Sequence, residues 1–473
     1  MTEDLHKLLA RAATHAAAYR ASLADNSGRP PQSYREMRGR LIEPLPEAGE
    51  SSEAVLEELV AVTEGGLMPI AGPRFFGWVM GASHPAGVAA DWMVGAWGQN
   101  AGYHTPTPAV SALEDVAERW LLELLDLPRE SSIGFATGAT VANAICLAAA
   151  RTRVLLNVGW DPDAEGLFGA PPVNVLIGAD AHSSLFSSLQ IIGFGYNRVT
   201  RIATDDQGRI RPAALAAALD DCSGPTIVIA QAGQINTGAF DPFADIIPLA
   251  RKHGAWVHVD GAFGLWARAT SALRHLTDGL EDADSWATDG HKWLQVPYDC
   301  GFAIVKDKEA HQRAMTQWST YLPSIEPGDR VPSAYVPELS RRARGVPVWA
   351  MIKALGRSGV RDLVERCCRL AQLFADRLAT EPGVRVVNEV WINQFVVVFG
   401  DGDAAARKSA TEGVIARVQS DGTCFVGGAS WRGDWVMRVS VSSFATTEED
   451  IERSAVAIIE AWRGERERGA KPR

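Results

Sequence analysis

Short apolar runs alternate with helical patterns through the middle of the chain. SIGFAT (132–137), VNVLIGAD (173–180), NRVTRIA (197–203), PTIVIAQA (225–232), AWVHVDG (255–261), SWATDG (285–290) and CGFAIVKD (300–307) each have the length of a strand. Several are apolar at consecutive positions, as strands covered on both faces should be, and helices near 143–153, 212–220 and 241–252 separate them. The pattern predicts an α/β domain around a mostly parallel sheet of about seven strands, with the last run, just after Lys292, as a candidate antiparallel member. After about residue 345 the order changes. A long helical region (345–380) precedes strands VRVVNE (384–389) and NQFVVVFG (393–400), a helix near 402–419, a strand VMRVSVSS (436–443) and a last helix over 447–465. That is the order of a smaller α+β domain.

Before the alternation begins, residues 1–55 read as two helices broken by the loop around SLADNSGRPP. MPIAGPRFFGWVMGASHPAG has no clean period and is too apolar for a linker, so it reads as a buried irregular segment of the kind that often lines a site. A helix then starts with Thr107 as candidate cap and Pro108 in the first turn; Leu113, Val116, Ala117, Trp120 and Leu124 form its apolar stripe, and Pro128 stops it. The expected division is an N-terminal helical segment (1–55), a large α/β domain (56–345) and a small α+β domain (346–473).

Composition narrows the function classes. A chain of 473 residues, 47% of them hydrophobic, can bury a large core. A net charge of -11 argues against a partner bound by neutralising phosphates, so no nucleic acid is expected. No run of eighteen apolar residues occurs, so no membrane span is expected either. The N-terminus carries charges throughout and lacks an apolar stretch of signal length. Six scattered cysteines without CxxC spacing indicate neither a disulfide framework nor a metal site, and a cytoplasmic location is expected.

Chemistry-bearing residues gather at predicted strand ends. Asp260 closes AWVHVD; it would either cap the next helix or hold a proton on a heterocyclic nitrogen. Lys292 follows another strand, and there it would be exposed or, if buried, need a charge partner or a covalent one such as a Schiff base to an aldehyde. His182, after VNVLIGADA, is either a satisfied histidine or a flat ring for stacking on a planar ligand. In FATGATVANA, free N–H groups of Gly138, Ala139 and Thr140 would make an anion seat, with neither the Walker lysine nor the GxGxxG fingerprint. A planar, anionic, aldehyde-bearing cofactor needs all four features together.

With FATGATVAN, DAHSS, GQINTGAFDP, HVDGAFG, DGHKW, SRRARG and WVMRVSVSS in this order, the chain resembles the group II pyridoxal-phosphate-dependent decarboxylases, the aromatic-L-amino-acid and glutamate decarboxylase family of fold type I. The resemblance implies pyridoxal 5'-phosphate as cofactor and decarboxylation of an L-amino acid to the amine. It also leaves aldehyde formation, transamination or carbon–carbon cleavage as alternatives. Carried over by position, Lys292 is the cofactor-bearing lysine and Asp260 the ring-nitrogen partner. His182 is the stacking residue, which also handles protons, and Gly138, Ala139, Thr140 and His291 form the phosphate region. Ala262 is the small residue under the ring, and Arg438 meets the substrate carboxylate or forms a structural ion pair. The family implies a homodimer with the active site at the subunit boundary.

The chain also departs from the family pattern. Tyr335 and Tyr321 are the candidates for the loop tyrosine that supports protonation of the reacting carbon, although Tyr335 lies closer to Arg341 and Arg342 than the family spacing implies. Trp78, Val79 and Met80, with His104 and Thr105, replace the family's usual substrate pocket, Trp78 being equally readable as core. The apolar wall favours an aromatic or large apolar side chain over glutamate.

Overall fold

The computed structural model describes residues 4–25, 28–316 and 329–470. All seven runs form strands of one sheet: β1 (Ser132–Ala136), β2 (Asn174–Gly178), β3 (Thr200–Ile202), β4 (Thr226–Gln231), β5 (Trp256–Asp260), β6 (Ser285–Asp289) and β7 (Gly301–Val305), in the order β1-β7-β6-β5-β4-β2-β3. β7 alone runs against its neighbours β1 and β6, so the other six strands end at the same edge. Side-chain alternation sorts the sheet into two apolar layers. Val175, Ile177, Ile227 and Ile229 pack beneath helix Ala139–Leu156, whereas Leu176, Val228, Val257 and Val259 face the opposite layer. That helix is long and apolar enough to cross a membrane, but most of it is buried inside the molecule. Its alanines let it lie close against β5, β6 and β7.

The small domain holds an antiparallel sheet, β10-β11-β9-β8, built from β8 (Val384–Val386), β9 (Gln394–Phe399), β10 (Gly427–Trp431) and β11 (Asp434–Ser440). Helices Gly345–Ala379, Ala404–Asp421 and Glu448–Ala470 pack with it, the first broken at Gly356 (φ 61°). Strand β10 has no counterpart in the sequence reading, because GGASW looks like a turn. At the N-terminus, helices Leu5–Ser22 and Tyr34–Leu41 are joined by a third, Ser52–Thr63, which crosses the expected boundary at residue 55 and pairs with the first through Arg11, Glu53 and Glu57. Thr107 does precede a helix, Pro108–Leu124, but its hydroxyl donates to the Asn100 and Tyr103 carbonyls (3.0 and 2.8 Å) instead of capping.

Candidate active site

The shared edge of the six strands opens into a cavity of about 360 Å³, within the size range of small-molecule sites. Gly138, Ala139, Thr140, His182, Asp260, Ala262, His291 and Lys292 all line it. So do residues that the sequence reading assigned no role, above all Asp289, Gln231 and Phe263.

Lys292 sits in the turn after β6. Its Nζ lies 3.1 Å from Asp289 Oδ2 and 5.8 Å from the Phe263 ring centre. The turn is clamped from below. Gln295 donates to the Lys292 and Ser442 carbonyls (3.0 and 2.6 Å) and accepts from Ala82 N–H (2.9 Å). Gly81 donates to the His291 carbonyl, and a Cβ at Gly81 would meet the Lys292 carbonyl at 2.3 Å, so only glycine fits there. The irregular segment around residue 81 therefore supports the lysine turn from behind and contributes no wall to the cavity.

Asp289 is the polar centre of the cavity floor. Besides Lys292 it meets His291 Nε2 at 3.5 Å and accepts the Ala139 N–H at 2.6 Å, so it occupies a donor at the start of helix Ala139–Leu156. The turn before that helix is tightly built: a Cβ on Gly301 of β7 would lie 2.5 Å from Gly138 Cα, and one on Gly138 3.0 Å from the His291 ring. His291 accepts from Cys300 N–H (3.2 Å) and stacks on Tyr298 at 4.3 Å between ring centres; burial lowers its proton affinity.

Asp260, 3% exposed, accepts the Ala262 N–H at 3.2 Å. Burial pushes its carboxyl up to about 6, against the pull of Lys292. His182 caps helix Ser183–Ile191 through Nδ1, which accepts from Ser184 N–H (3.2 Å) and lies 2.7 Å from Ser184 Oγ. Burial, reinforced by the charges of Lys292 and Arg438, lowers it to about 4, so the ring is neutral at neutral pH. Arg438, on β11, is mostly buried; among the described residues no carboxylate pairs with it, which leaves the structural ion-pair reading without a partner.

The remaining candidates, where described, do not line this cavity. Tyr335 does not reach the cavity: it is 1% exposed, packs edge-on to His311 with Arg330 over its face, and its hydroxyl accepts from Gln312 (3.0 Å). Tyr321 lies outside the described residues. Val79 is a core residue at φ 55°, and Trp78, half exposed, packs against Phe75 and Phe425. His104 faces Asp329 at 3.8 Å and Thr105 is exposed. In these loops the backbone turn, unlike a strand end, leaves side-chain direction unreadable from spacing. The six cysteines are all free.

A partly buried lysine, an acid at a neighbouring strand end, a flat neutral imidazole, a small residue at 262 and a helix start fit a planar aldehyde bearing a phosphate. The sequence profile described as "Pyridoxal-dependent decarboxylase conserved domain" matches residues 35–400. Tyrosine decarboxylase 2 of Arabidopsis thaliana is 27% identical over 445 residues, 90% of this chain and 79% of the relative. L-2,4-diaminobutyrate decarboxylase of Rhizobium meliloti is 31% identical over 364 residues, 74% and 70% of the two chains. Among solved structures, Oryza sativa TDC with PLP and tryptamine superposes with a TM-score of 0.91 over 98% of both chains at 22% identity. The chain belongs to the pyridoxal-dependent decarboxylase family and is a pyridoxal-phosphate-dependent enzyme of fold type I.

Proposed function

We propose that the enzyme decarboxylates an L-amino acid with an aromatic or large apolar side chain, releasing carbon dioxide and the amine. The observation that carries this reading is that Lys292 and Asp260 line one cavity while Arg438, mostly buried and without a carboxylate partner among the described residues, lies near enough to lower the proton affinity of His182. When bound, the cofactor supplies an aldehyde for amino groups and a ring that accepts electrons from the breaking Cα–carboxylate bond.

Each side chain has a task toward that chemistry. Lys292 would hold the cofactor through its aldehyde. Asp260 would hold a proton at the ring nitrogen, and neutral His182 would serve as the stacking partner of the ring. The N–H groups of Gly138 and Thr140 would seat the phosphate, the Ala139 N–H being held by Asp289. Arg438 would take the substrate carboxylate in a charge-assisted pair and so orient the substrate. Phe263, Ile235 and Val141 give the cavity an apolar wall, and the tyrosine decarboxylase among the relatives supports an aromatic substrate.

A homodimer is part of the same reading. The three N-terminal helices have no buried side chain among their described residues, while Leu5, Leu41, Ile42 and Leu59 are each more than half exposed, and a second copy of the chain would cover them. Six free cysteines accord with a reducing, cytoplasmic setting.

The test is a mass-spectrometric product profile of cofactor-loaded protein incubated in air with each common amino acid and several aromatic relatives. The expected product is one aromatic amine. An aldehyde would replace the amine by oxidative chemistry and turn attention to the absence of tyrosine from the described lining, and no carbon dioxide from any amino acid would refute the proposal.

A further inference from the structure

Behind Asp260 lies a chain of buried polar groups that the proposed reaction does not use. His258 and Asp260 are two residues apart on β5 and so share the sheet face covered by helix Ala139–Leu156. His258 is fully buried; its Nε2 lies 2.8 Å from Asn143 Oδ1, and its Nδ1 lies 2.9 Å from Ser285 Oγ on the paired position of β6. Trp256 Nε1 donates to the same Ser285 oxygen at 3.0 Å.

These contacts have a direction. The Trp256 N–H fills one acceptor position of Ser285 Oγ, and the orientation that turns Asn143 Nδ2 rather than Oδ1 toward the Asp260 carboxylate requires Ser285 to donate to His258 Nδ1. The imidazole, lowered to about 3 by burial, is neutral and then carries its proton on Nε2, which donates to Asn143 Oδ1. With its oxygen engaged, the Asn143 amide turns Nδ2 the other way. That nitrogen is fully buried and has not closed a hydrogen bond, yet it acts on the Asp260 carboxylate, helping to hold its proton affinity down. A flipped amide would set its oxygen against the carboxylate, which is tolerable only if Asp260 is protonated. The other groups that face Asp260 are the Ala262 N–H, Lys292 and, of like charge, Asp289; the Cys146 thiol, held neutral by burial, lies nearby.

We propose that Asn143, oriented by His258 and Ser285, is a positioning residue that donates a hydrogen bond to the Asp260 carboxylate and keeps its negative charge where it meets the cofactor's ring nitrogen. The proposal rests on the cofactor reading and names the device that lets a carboxylate 3% exposed remain an anion. Weakening that bond moves the shared proton from the ring nitrogen toward Asp260, so the ring loses its charge before the protein loses the cofactor.

The experiment is nitrogen NMR of protein loaded with pyridoxal phosphate isotopically labelled at the ring nitrogen, titrated with pH. Wild type, Asn143→Leu, Asn143→Ala, His258→Leu and His258→Gln are compared. In wild type the ring nitrogen is expected to stay protonated through neutral pH. Both Asn143 variants and His258→Leu should lower its proton affinity roughly tenfold to a hundredfold, the equivalent of one hydrogen bond to a charged group. His258→Gln, which keeps an N–H donor toward Asn143, should restore much of the wild-type value, an outcome that a merely structural role would not produce. An unchanged ring-nitrogen titration in the folded Asn143 variants overturns the proposal. A wild type that forms no covalent link between the cofactor and Lys292 overturns the cofactor reading instead, and borohydride reduction before the titration separates the two.

Discussion

Asp260→Asn is expected to stabilise the cofactor-free protein while abolishing its chemistry. The carboxyl titrates at about 6 in the fold against an ordinary value of 3.8, because burial outweighs Lys292, the Ala262 N–H and Asn143. A displacement of about two pH units at about 1.4 kcal/mol each makes the ionised side chain cost about 3 kcal/mol of folding stability at neutral pH. The attraction to Lys292 is already contained in that figure. An acid whose folded pKa is raised imposes its full cost above about pH 6, and the cost fades as pH falls and is lost below 3.8, where folded and unfolded forms are both protonated. Asparagine keeps an oxygen for Ala262 N–H and removes the charge. The gain, about 2–3 kcal/mol at pH 8, should shrink to about half at pH 5 and vanish near pH 3. Urea unfolding of cofactor-free wild type and variant across this range reads it as a shift in midpoint. A variant less stable than wild type at pH 8, or a gap that ignores pH, would refute the reasoning.

Three further outcomes follow from the same geometry. Arg438→Met should raise KM for the amino acid at least tenfold with a smaller change in kcat, as expected when one charge-assisted contact to the substrate carboxylate is lost; histidine NMR should also show His182 titrating above its present value of about 4, since one of its depressing charges is gone. Gly301→Ala places a methyl 2.5 Å from Gly138 Cα, pushes the anion turn off β7, and should weaken cofactor binding at least tenfold by equilibrium titration. Glu114, 1% exposed, accepts from Arg341 (2.9 Å) and Arg330 (2.8 Å), so Glu114→Ala leaves two guanidinium groups short of a partner and should cost about 3–5 kcal/mol in urea unfolding, with Glu114→Gln milder.

The large sheet was readable because burial on both faces writes strands as apolar runs, and because the chemistry sits at strand ends, where one residue of spacing decides the direction of a side chain. Lys292, Asp260, His182 and the Gly138 turn share a cavity for that reason. Asp289 escaped notice, since an acid closing SWATD looks like the ordinary polar end of a strand; its meaning lies in three contacts from two segments, the turn that carries His291 and Lys292 and the helix start at Ala139. The edge strand β10, with two glycines and one buried position, carries no apolar signature at all. Tyr335 and Val79 were misplaced because loops fix direction through tertiary contacts, in these cases Arg330 with Gln312 and a left-handed backbone turn. The Asn143–His258 relay was equally hidden, being split between a helix and a strand far apart in sequence.

Borohydride reduction of protein loaded with pyridoxal phosphate, followed by peptide mapping, tests the central claim most directly. The cofactor mass should appear on the peptide containing Lys292 and vanish from that position in Lys292→Ala, which should still bind the cofactor without a covalent link. Attachment at another lysine in the wild type, or a reducible link that survives in Lys292→Ala, would contradict the assignment of this cavity as the active site.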